Sequence, residues 1–221
     1  MSEASMGEAS VSKATMHDAI NRALEGRELL THPFYRRWEA GELSAQELTA
    51  YAEQYRHFEA ALPTLLRGIL EQLPAGEARS LVEQNLADET GDPTHLELFD
   101  TFLAATSGAP GAGAGPAISN LLTTYGEVLS QGPAQAVSGL LAYETQAPDV
   151  ARSKGDGLRK HYDFTEADTV FWDVHAELDV EHADWATQAL ARITDDTATV
   201  ESSARRVADA WWSFLDERAA L

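Results

Sequence analysis

The sequence has no cysteine, and this absence excludes several kinds of chemistry at once. Disulfides, thiolate metal sites and cysteine nucleophiles all need a sulfur atom that none of the 221 residues supplies. Strand signals are also scarce, since there is no run of alternating β-branched residues and no Asn-Gly hairpin turn. No apolar run approaches the roughly 18 residues that a transmembrane helix needs. The absences favour a helical protein without a membrane span.

Basic residues are few as well. Lys and Arg number 16 against 36 for Asp and Glu, which gives a net charge of −20. Such a surface repels nucleic acid and anionic membranes, so we expect neither as a partner. The first residues, MSEASMGEASVSKAT, lack the apolar segment of a secretory signal, which predicts a cytoplasmic protein. We expect a disordered lead over residues 1–15 and one helical domain over residues 16–221.

Apolar residues recur at helical spacing through almost the whole domain. Ser44 and Glu47 have the spacing of a capping box, and Thr94 is placed to cap another helix. Residues 107–116, SGAPGAGAGP, are typical of a flexible linker; their glycines follow no strand, which argues against a phosphate-binding loop. We therefore predict a single-domain, all-α bundle of about seven or eight helices.

The most informative stretch is FWDVHAELDVEHADW at residues 171–185. It places His175, Asp179 and His182 at positions i, i+4 and i+7, within an arc of roughly 60° on one side of a helix. Apolar residues share or flank this stripe, so it should face the core. Buried His and Asp side chains need partners, and a metal ion satisfies all three together. Three acidic residues repeat the same spacing on a solvated face, so the metal site needs support from other segments.

Further ligands are expected on other apolar helix faces. Glu144 lies in the apolar segment GLLAYETQAP, where an unpaired carboxylate is costly. Glu89 ends one predicted helix and His95 begins the next, so the turn between them can bring both side chains to one point. Three His and three carboxylates suit two divalent ions better than one, and helical bundles hold di-iron or di-manganese sites between facing helices.

Four blocks of the sequence, HPFYRRWEAGELSAQELTAYAEQY, NLADETGDPTHLELF, YETQAPDVARSKGDGL and HAELDVEHA, resemble the heme-oxygenase-like di-metal oxidases. Within that family the chain is most similar to the group around the Chlamydia protein associating with death domains. The resemblance implies the bundle fold of TenA-type and pyrroloquinoline-quinone synthase-like proteins. It also implies six metal ligands, which fall on Glu89, His95, Glu144, His175, Asp179 and His182. Because the turn before His95 is one residue shorter than in the group, Asp88 competes with Glu89, although the block NLADE favours Glu89.

The resemblance implies O2-dependent synthesis of 4-aminobenzoate, a folate precursor, by a protein that consumes its own side chains. Tyr35 would supply the ring, Lys154 the amine, and Tyr143 would be a second tyrosine near the metals. A third aromatic position of the family is Phe171 here, which lacks a hydroxyl. The implied cofactors are two divalent metal ions, Fe/Fe or Fe/Mn, with O2 and an external reductant, and a homodimer is compatible with the fold. From packing alone, both tyrosines would be core residues and Lys154 a solvated surface lysine.

Several alternatives remain at the level of sequence. The same metal pair could oxidise an external amine, amino acid or fatty acid, with many turnovers and an intact protein. A thiaminase-type activity would need a cysteine nucleophile, and a metal-free oxidase like pyrroloquinoline-quinone synthase would need a basic cavity. No feature of the sequence supports a death-domain binding module.

Overall fold

The computed structural model describes the backbone of residues 3–220 and the side chains of residues 13–220. Within this range the chain forms ten α-helices, one short 3-10 helix at Leu29–Thr31 and no strand, which confirms the all-α prediction. The helices are α1 Glu3–Leu24, α2 Pro33–Ala40, α3 Ala45–Gln72, α4 Glu77–Glu89, α5 His95–Ala105, α6 Pro116–Gln131, α7 Pro133–Glu144, α8 Ala147–His161, α9 Val170–Ile193 and α10 Thr197–Ala219. The helix count exceeds the predicted seven or eight because short helices such as α2 stand as separate elements.

The first helix differs most from the expectation. Residues 1 and 2 of the predicted disordered lead lie outside the described residues, and from Glu3 onward the described backbone is helical. At its other end α1 stops at Leu24, and Gly26 just beyond it takes up a left-handed conformation with φ 70°. Buried residues of α1, including Ile20, face α10. The boundary between residues 15 and 16 stays a prediction.

Helix starts follow local capping signals. Ser44 begins α3 with a full capping box, in which its side chain accepts from the Glu47 backbone and Glu47 accepts from the Ser44 backbone. Thr94 begins α5 in the same way. These caps satisfy backbone N–H groups that a helix start leaves without partners, and they fix the residue that enters the helix first. For α5 that residue is His95.

Helix α9 is the central element of the bundle and packs against α1, α4, α5, α7 and α8. It begins at Val170, after a turn over residues 165–168 in which the Asp168 carboxylate accepts from the Thr165 backbone. Helix α3 crosses the other side of the core and contributes aromatic side chains from one face, among them Tyr51, Tyr55 and Phe58. None of the described helices is long and apolar enough to cross a membrane. The ends of α4 and α7, the start of α5 and one face of α9 meet in the interior.

Candidate metal centre and adjoining lysine pocket

All six predicted metal ligands are buried in the interior of the bundle. Each side chain belongs to a residue that is at most 6 % exposed. One comes from the end of α4, one from the start of α5, one from the end of α7 and three from α9: Glu89, His95, Glu144, His175, Asp179 and His182. Carboxylates and imidazoles are rarely buried together without compensation, so the cluster needs hydrogen bonds, protons or metal ions.

Glu89, His95 and His175 form the tightest part of the cluster. Each offers one ligand atom, and these atoms all lie within 4.8 Å of one another. His95 Nδ1 lies 3.1 Å from Glu89 Oε2, and the ring centres of His95 and His175 are 4.4 Å apart. A carboxylate oxygen and two imidazole nitrogens at this spacing suit a divalent transition metal.

The remaining three ligands lie beside this group. His182 Nδ1 is 3.3 Å from Asp179 Oδ1, and its ring centre is 6.4 Å from that of His95. Glu144 Oε1 accepts a hydrogen bond of 2.7 Å from Asn85 Nδ2, which orients the carboxylate. This second group therefore adds two carboxylates and an imidazole next to the first.

Two buried atoms of the cluster have no hydrogen-bond partner among the described residues. They are His175 Nε2 and Glu144 Oε2, whereas His95 Nδ1 lies against the Glu89 carboxylate. The other nitrogen of His175, Nδ1, lies 2.7 Å from the Phe171 carbonyl oxygen and donates to it, which leaves the lone pair on Nε2 free. Buried polar atoms without partners are rare in folded proteins. The donor set fits a pair of divalent cations, whose charge would offset that of the three carboxylates.

Burial and nearby charges shift the pKa values of two side chains in the cluster, Glu144 and His182. Burial raises the pKa of Glu144 to about 7, although the charge of His182 and the hydrogen bond from Asn85 oppose the shift. Burial lowers the pKa of His182, but contact with Asp179 and the charges of Glu144 and Glu89 outweigh burial and raise the pKa to about 9. At neutral pH the His182 imidazole is therefore protonated, and protons compete with metal ions for its nitrogen.

Asp88 and Glu89 occupy different places at the cluster. Glu89 is buried and belongs to the tight group, whereas Asp88 is half-buried and its Oδ2 lies 3.2 Å from His182 Nε2. His182 thus has one carboxylate on each nitrogen. This arrangement favours Glu89 as the ligand, and it leaves Asp88 in a position from which it could orient the His182 ring.

Lys154 lies in the core beside the cluster, where the role implied by the resemblance needs it, and not at the surface as packing alone would suggest. The residue is 1 % exposed, because α8 packs closely on α2 at this point. Trp38 Nε1 donates to the Lys154 carbonyl oxygen over 3.2 Å. A Cβ atom on Gly157 would lie 3.0 Å from Trp38 Cδ1 and 3.3 Å from its carbonyl oxygen, so any larger residue would require Trp38 to shift by a few tenths of an ångström.

Aromatic rings enclose the Lys154 ammonium group. Nζ lies 4.2 Å from the ring centre of Trp172 and 4.7 to 4.9 Å from those of Tyr35, Tyr51 and Tyr55. It donates a hydrogen bond of 2.5 Å to the Tyr51 hydroxyl. Burial lowers the pKa of Lys154 well below its usual value, although the charges of Glu59 and Asp179 oppose the shift. The pocket thus increases the fraction of neutral amine.

Four tyrosines form two hydrogen-bonded pairs near this pocket. The Tyr35 and Tyr51 hydroxyl oxygens are 2.9 Å apart, and those of Tyr55 and Tyr143 are 2.6 Å apart. Burial raises the pKa of Tyr35, so its phenol stays protonated at neutral pH. Phe171 has no hydroxyl to add, and its ring centre lies 4.0 Å from that of His175.

Glu59 is a functional candidate that the sequence interpretation missed. It is 3 % exposed on α3, and its Oε2 atom has no hydrogen-bond partner. Burial raises its pKa well above the usual carboxyl value, and the negative charge of Glu89 adds to the shift. Glu59 follows Tyr51 by eight residues and Tyr55 by four, so the three lie on the same apolar stripe of the helix. A carboxylate on that stripe is the signal that could have revealed Glu59 from the sequence.

The capping box of α5 gives a direct test of how His95 is positioned. We expect Thr94→Ala to lower the free energy of unfolding by about 1 kcal/mol and also to weaken metal binding, because His95 is the first residue of the capped helix. Ser44→Ala removes the equivalent cap from α3 and should have the stability effect alone. Denaturant unfolding and metal titration measure the two quantities. Equal metal affinity in both variants would contradict the positioning role of the cap.

The fold places the protein among heme-oxygenase-like helical proteins. It is similar to the crystal structure of a domain of unknown function with a heme oxygenase-like fold from Shewanella denitrificans. The TM-score is 0.74 at 16% sequence identity, over 97% of this chain and 92% of that chain. The expected fold is thereby confirmed.

Sequence comparison narrows this class to a family. The family described as iron-containing redox enzyme matches residues 49–216, and the chain belongs to it. The protein is therefore an oxidoreductase. The chain is 34% identical to a 4-aminobenzoate synthase from Nitrosomonas europaea, over 91% of this chain and 90% of the relative. It is 31% identical to a 4-aminobenzoate synthase from Chlamydia muridarum, over 90% and 88% of the two chains. The family that the sequence blocks indicated is confirmed.

Proposed function

We propose that this protein makes 4-aminobenzoate in an O2-dependent reaction that consumes its own Tyr35 and Lys154. The observation that carries the proposal is the burial of a lysine amine among tyrosine rings, next to six side chains suited to metal ions. Had Lys154 been exposed to solvent, its position would have given no reason to assign it a part in the reaction. The relatives from Nitrosomonas and Chlamydia bear the name of this activity, which supports the proposal.

The six buried ligands are proposed to hold two divalent metal ions. Glu89, His95 and His175 would bind one ion, and the other three side chains complete the ligand set. A bound Fe/Fe or Fe/Mn pair, kept reduced by an external reductant, would supply O2-derived oxidising power beside the tyrosines. The proposed setting is the cytoplasm, with a homodimer as the proposed assembly.

The ring donor, Tyr35, and the amine donor, Lys154, have the chemistry that the product requires. The tyrosine ring with its Cβ atom matches the carbon skeleton of 4-aminobenzoate, and a lysine nitrogen matches its amine. Burial lowers the pKa of Lys154, which favours the neutral amine that can form a C–N bond. The enclosing rings of Tyr51, Tyr55 and Trp172 exclude water from this nitrogen.

An external amine, amino acid or fatty acid as substrate is less well supported. Such a reaction gives no role to a lysine whose burial is unfavourable for its charge. Both relatives named above are synthases of 4-aminobenzoate. A self-derived product therefore accounts for more of the observed site.

The test combines genetic complementation with isotope labelling. We expect the wild-type gene to rescue a bacterial strain that cannot make 4-aminobenzoate, and Tyr35→Phe to fail. The matched control is Tyr162→Phe, since Tyr162 is half-buried and its hydroxyl accepts a hydrogen bond from the Leu43 backbone, away from Lys154. Protein labelled with ¹³C in its tyrosine rings and ¹⁵N at its lysines should release a product that carries both labels.

Two results would contradict the proposal. Full rescue by Tyr35→Phe would remove this tyrosine from the reaction. Product without either label, released over many cycles by protein of unchanged mass, would favour an external substrate instead.

A further inference from the structure

The hydroxyl group of Tyr51 contacts both Lys154, the proposed amine donor, and Tyr35, the proposed ring donor. Neither composition nor family resemblance assigned Tyr51 a role. Its oxygen accepts the hydrogen bond from Lys154 Nζ at 2.5 Å and lies 2.9 Å from the Tyr35 hydroxyl oxygen. The Lys154 nitrogen and the Tyr35 oxygen therefore lie within two hydrogen bonds of each other, with one shared atom between them. The residue itself has no measurable exposure to solvent.

We propose that Tyr51 is a positioning residue that holds the Lys154 amine against the hydroxyl-bearing ring carbon of Tyr35. The inference rests on the proposed function and adds a specific residue to it. Tyr51 is not itself consumed: its hydroxyl orients the two groups that are.

The product explains why this orientation matters. In 4-aminobenzoate the amine stands opposite the carboxyl group, as the hydroxyl of tyrosine stands opposite Cβ. The nitrogen must therefore replace the phenol oxygen on the same ring carbon: a C–N bond forms between Lys154 Nζ and that carbon, the C–O bond breaks and the oxygen leaves as water. This exchange neither oxidises nor reduces the ring. The Nζ–Cε bond of the lysine and the Cα–Cβ bond of the tyrosine must still break, and Cβ must become a carboxyl group; these oxidations would use the O2 and the external reductant of the proposed function. Placing the nitrogen at that carbon is a geometric task, and correct placement of reacting groups can contribute several orders of magnitude in rate.

The direction of the hydrogen bonds suits this task. When Lys154 Nζ donates to the Tyr51 oxygen, the Tyr51 O–H is free to donate to Tyr35. The lone pair of a neutral amine then stays available for bond formation. Packing holds Tyr51 in place, since its ring stacks on that of Phe34 at 5.5 Å and meets that of Trp38 edge-on at 5.1 Å. A fixed hydroxyl orients its partners without reacting.

The experiment compares Tyr51→Phe with Tyr125→Phe in full-length, metal-loaded protein. Tyr125 is an equally enclosed tyrosine whose hydroxyl accepts from Trp211 Nε1 at 2.9 Å, away from Lys154. We expect Tyr51→Phe to form 4-aminobenzoate roughly ten to a hundred times more slowly, and Tyr125→Phe to match the wild type. Metal content and thermal unfolding should be the same in both variants. Peptide mass spectrometry should find oxidised Tyr35 in Tyr51→Phe without loss of the Lys154 amine, which a purely structural defect would not produce.

Peptide mass spectrometry of the reacted wild-type protein tests the proposal even when Tyr51→Phe fails to fold. After reaction, the proposal requires altered masses at Tyr35 and Lys154 and an unchanged mass at Tyr51. A lesion at Tyr51 would overturn the positioning role and make Tyr51 the ring donor. Wild-type rates in Tyr51→Phe would overturn it as well, while leaving the proposed function intact. Absence of any product from the wild type would instead count against the proposed function itself.

Discussion

Lys154→Met is expected to abolish 4-aminobenzoate formation and, at the same time, to make the metal-free protein more stable at neutral pH. Methionine has nearly the length of lysine and suits an apolar pocket, but it has no nitrogen to transfer. The wild-type side chain is buried among rings, and its nitrogen donates to the Tyr51 hydroxyl. Burying a charge in such a place is unfavourable, so replacement by an apolar group of similar volume removes a destabilising contribution. Product assays and denaturant unfolding measure the two effects.

The pH dependence of stability should differ between these two proteins. Because burial lowers the pKa of Lys154 in the folded state, the unfolded chain binds more protons at this residue between the two pKa values. The free energy of unfolding of the wild type should therefore rise with pH from the lowered pKa up to about 10.4, the ordinary lysine value, by at most about 1.4 kcal/mol per pH unit. The variant lacks this contribution, so its stability advantage should shrink as the pH rises.

The matched control is Lys160→Met, which changes an exposed lysine on the same helix. It should keep activity and change stability by less than about 0.5 kcal/mol. Product formation by Lys154→Met would contradict the assignment of Lys154 as amine donor. A large loss of stability in that variant would contradict the view that the buried ammonium group is unfavourable.

Addition of Fe(II) or Mn(II) to chelator-treated wild-type protein should raise its stability markedly. An ion present at a hundred times its dissociation constant stabilises the folded state by about 2.7 kcal/mol per site. For a chain of this size that corresponds to a rise in melting temperature of roughly 5 to 11 °C. His175→Ala should lose most of this rise and at least one bound ion, because it removes an imidazole from the group with Glu89 and His95.

Competition between protons and metal ions for the His182 imidazole predicts that metal affinity depends on pH. The pKa of His182 is raised to about 9, so below that pH a metal ion must displace its proton. Metal affinity should therefore increase as the pH is raised from 7 toward 9. His17→Ala is the matched control, since His17 is exposed and its Nδ1 lies 3.1 Å from the Asn21 amide nitrogen, far along the chain from the six ligands. Equal metal content in His175→Ala and His17→Ala would exclude the proposed ligand set.

The ligand cluster could be anticipated from sequence because its signals are local. His175, Asp179 and His182 share a stripe through helical spacing alone, and Thr94 marks the start of the helix that His95 enters. Glu144 stood out because a carboxylate is unusual in an apolar segment. Family resemblance was needed to join these separate signals into one site and to single out Tyr35.

Local sequence patterns do not show which side chains become buried or which partners they meet, as three residues illustrate: Lys154, Tyr51 and Glu59. A lysine near arginine and aspartate predicts a solvated side chain, yet Lys154 is buried because Gly157 lets α8 approach Trp38. Tyr51 has the pattern of an ordinary core residue, and its hydroxyl acquires two partners only when α2 and α8 meet α3. Glu59 lies on the apolar stripe of α3, and its neighbours in space come from other helices.

The sequence by itself determined the all-α class, the capped starts of α3 and α5 and the inward stripe of α9, since these depend on spacing and capping within a few residues. Only the tertiary structure decided which tyrosine meets Lys154 and which carboxylates share the interior. The physical reason is that desolvation and contact between distant helices arise from packing of the whole bundle, so the pKa of a side chain and its hydrogen-bond partners are properties of the assembled fold.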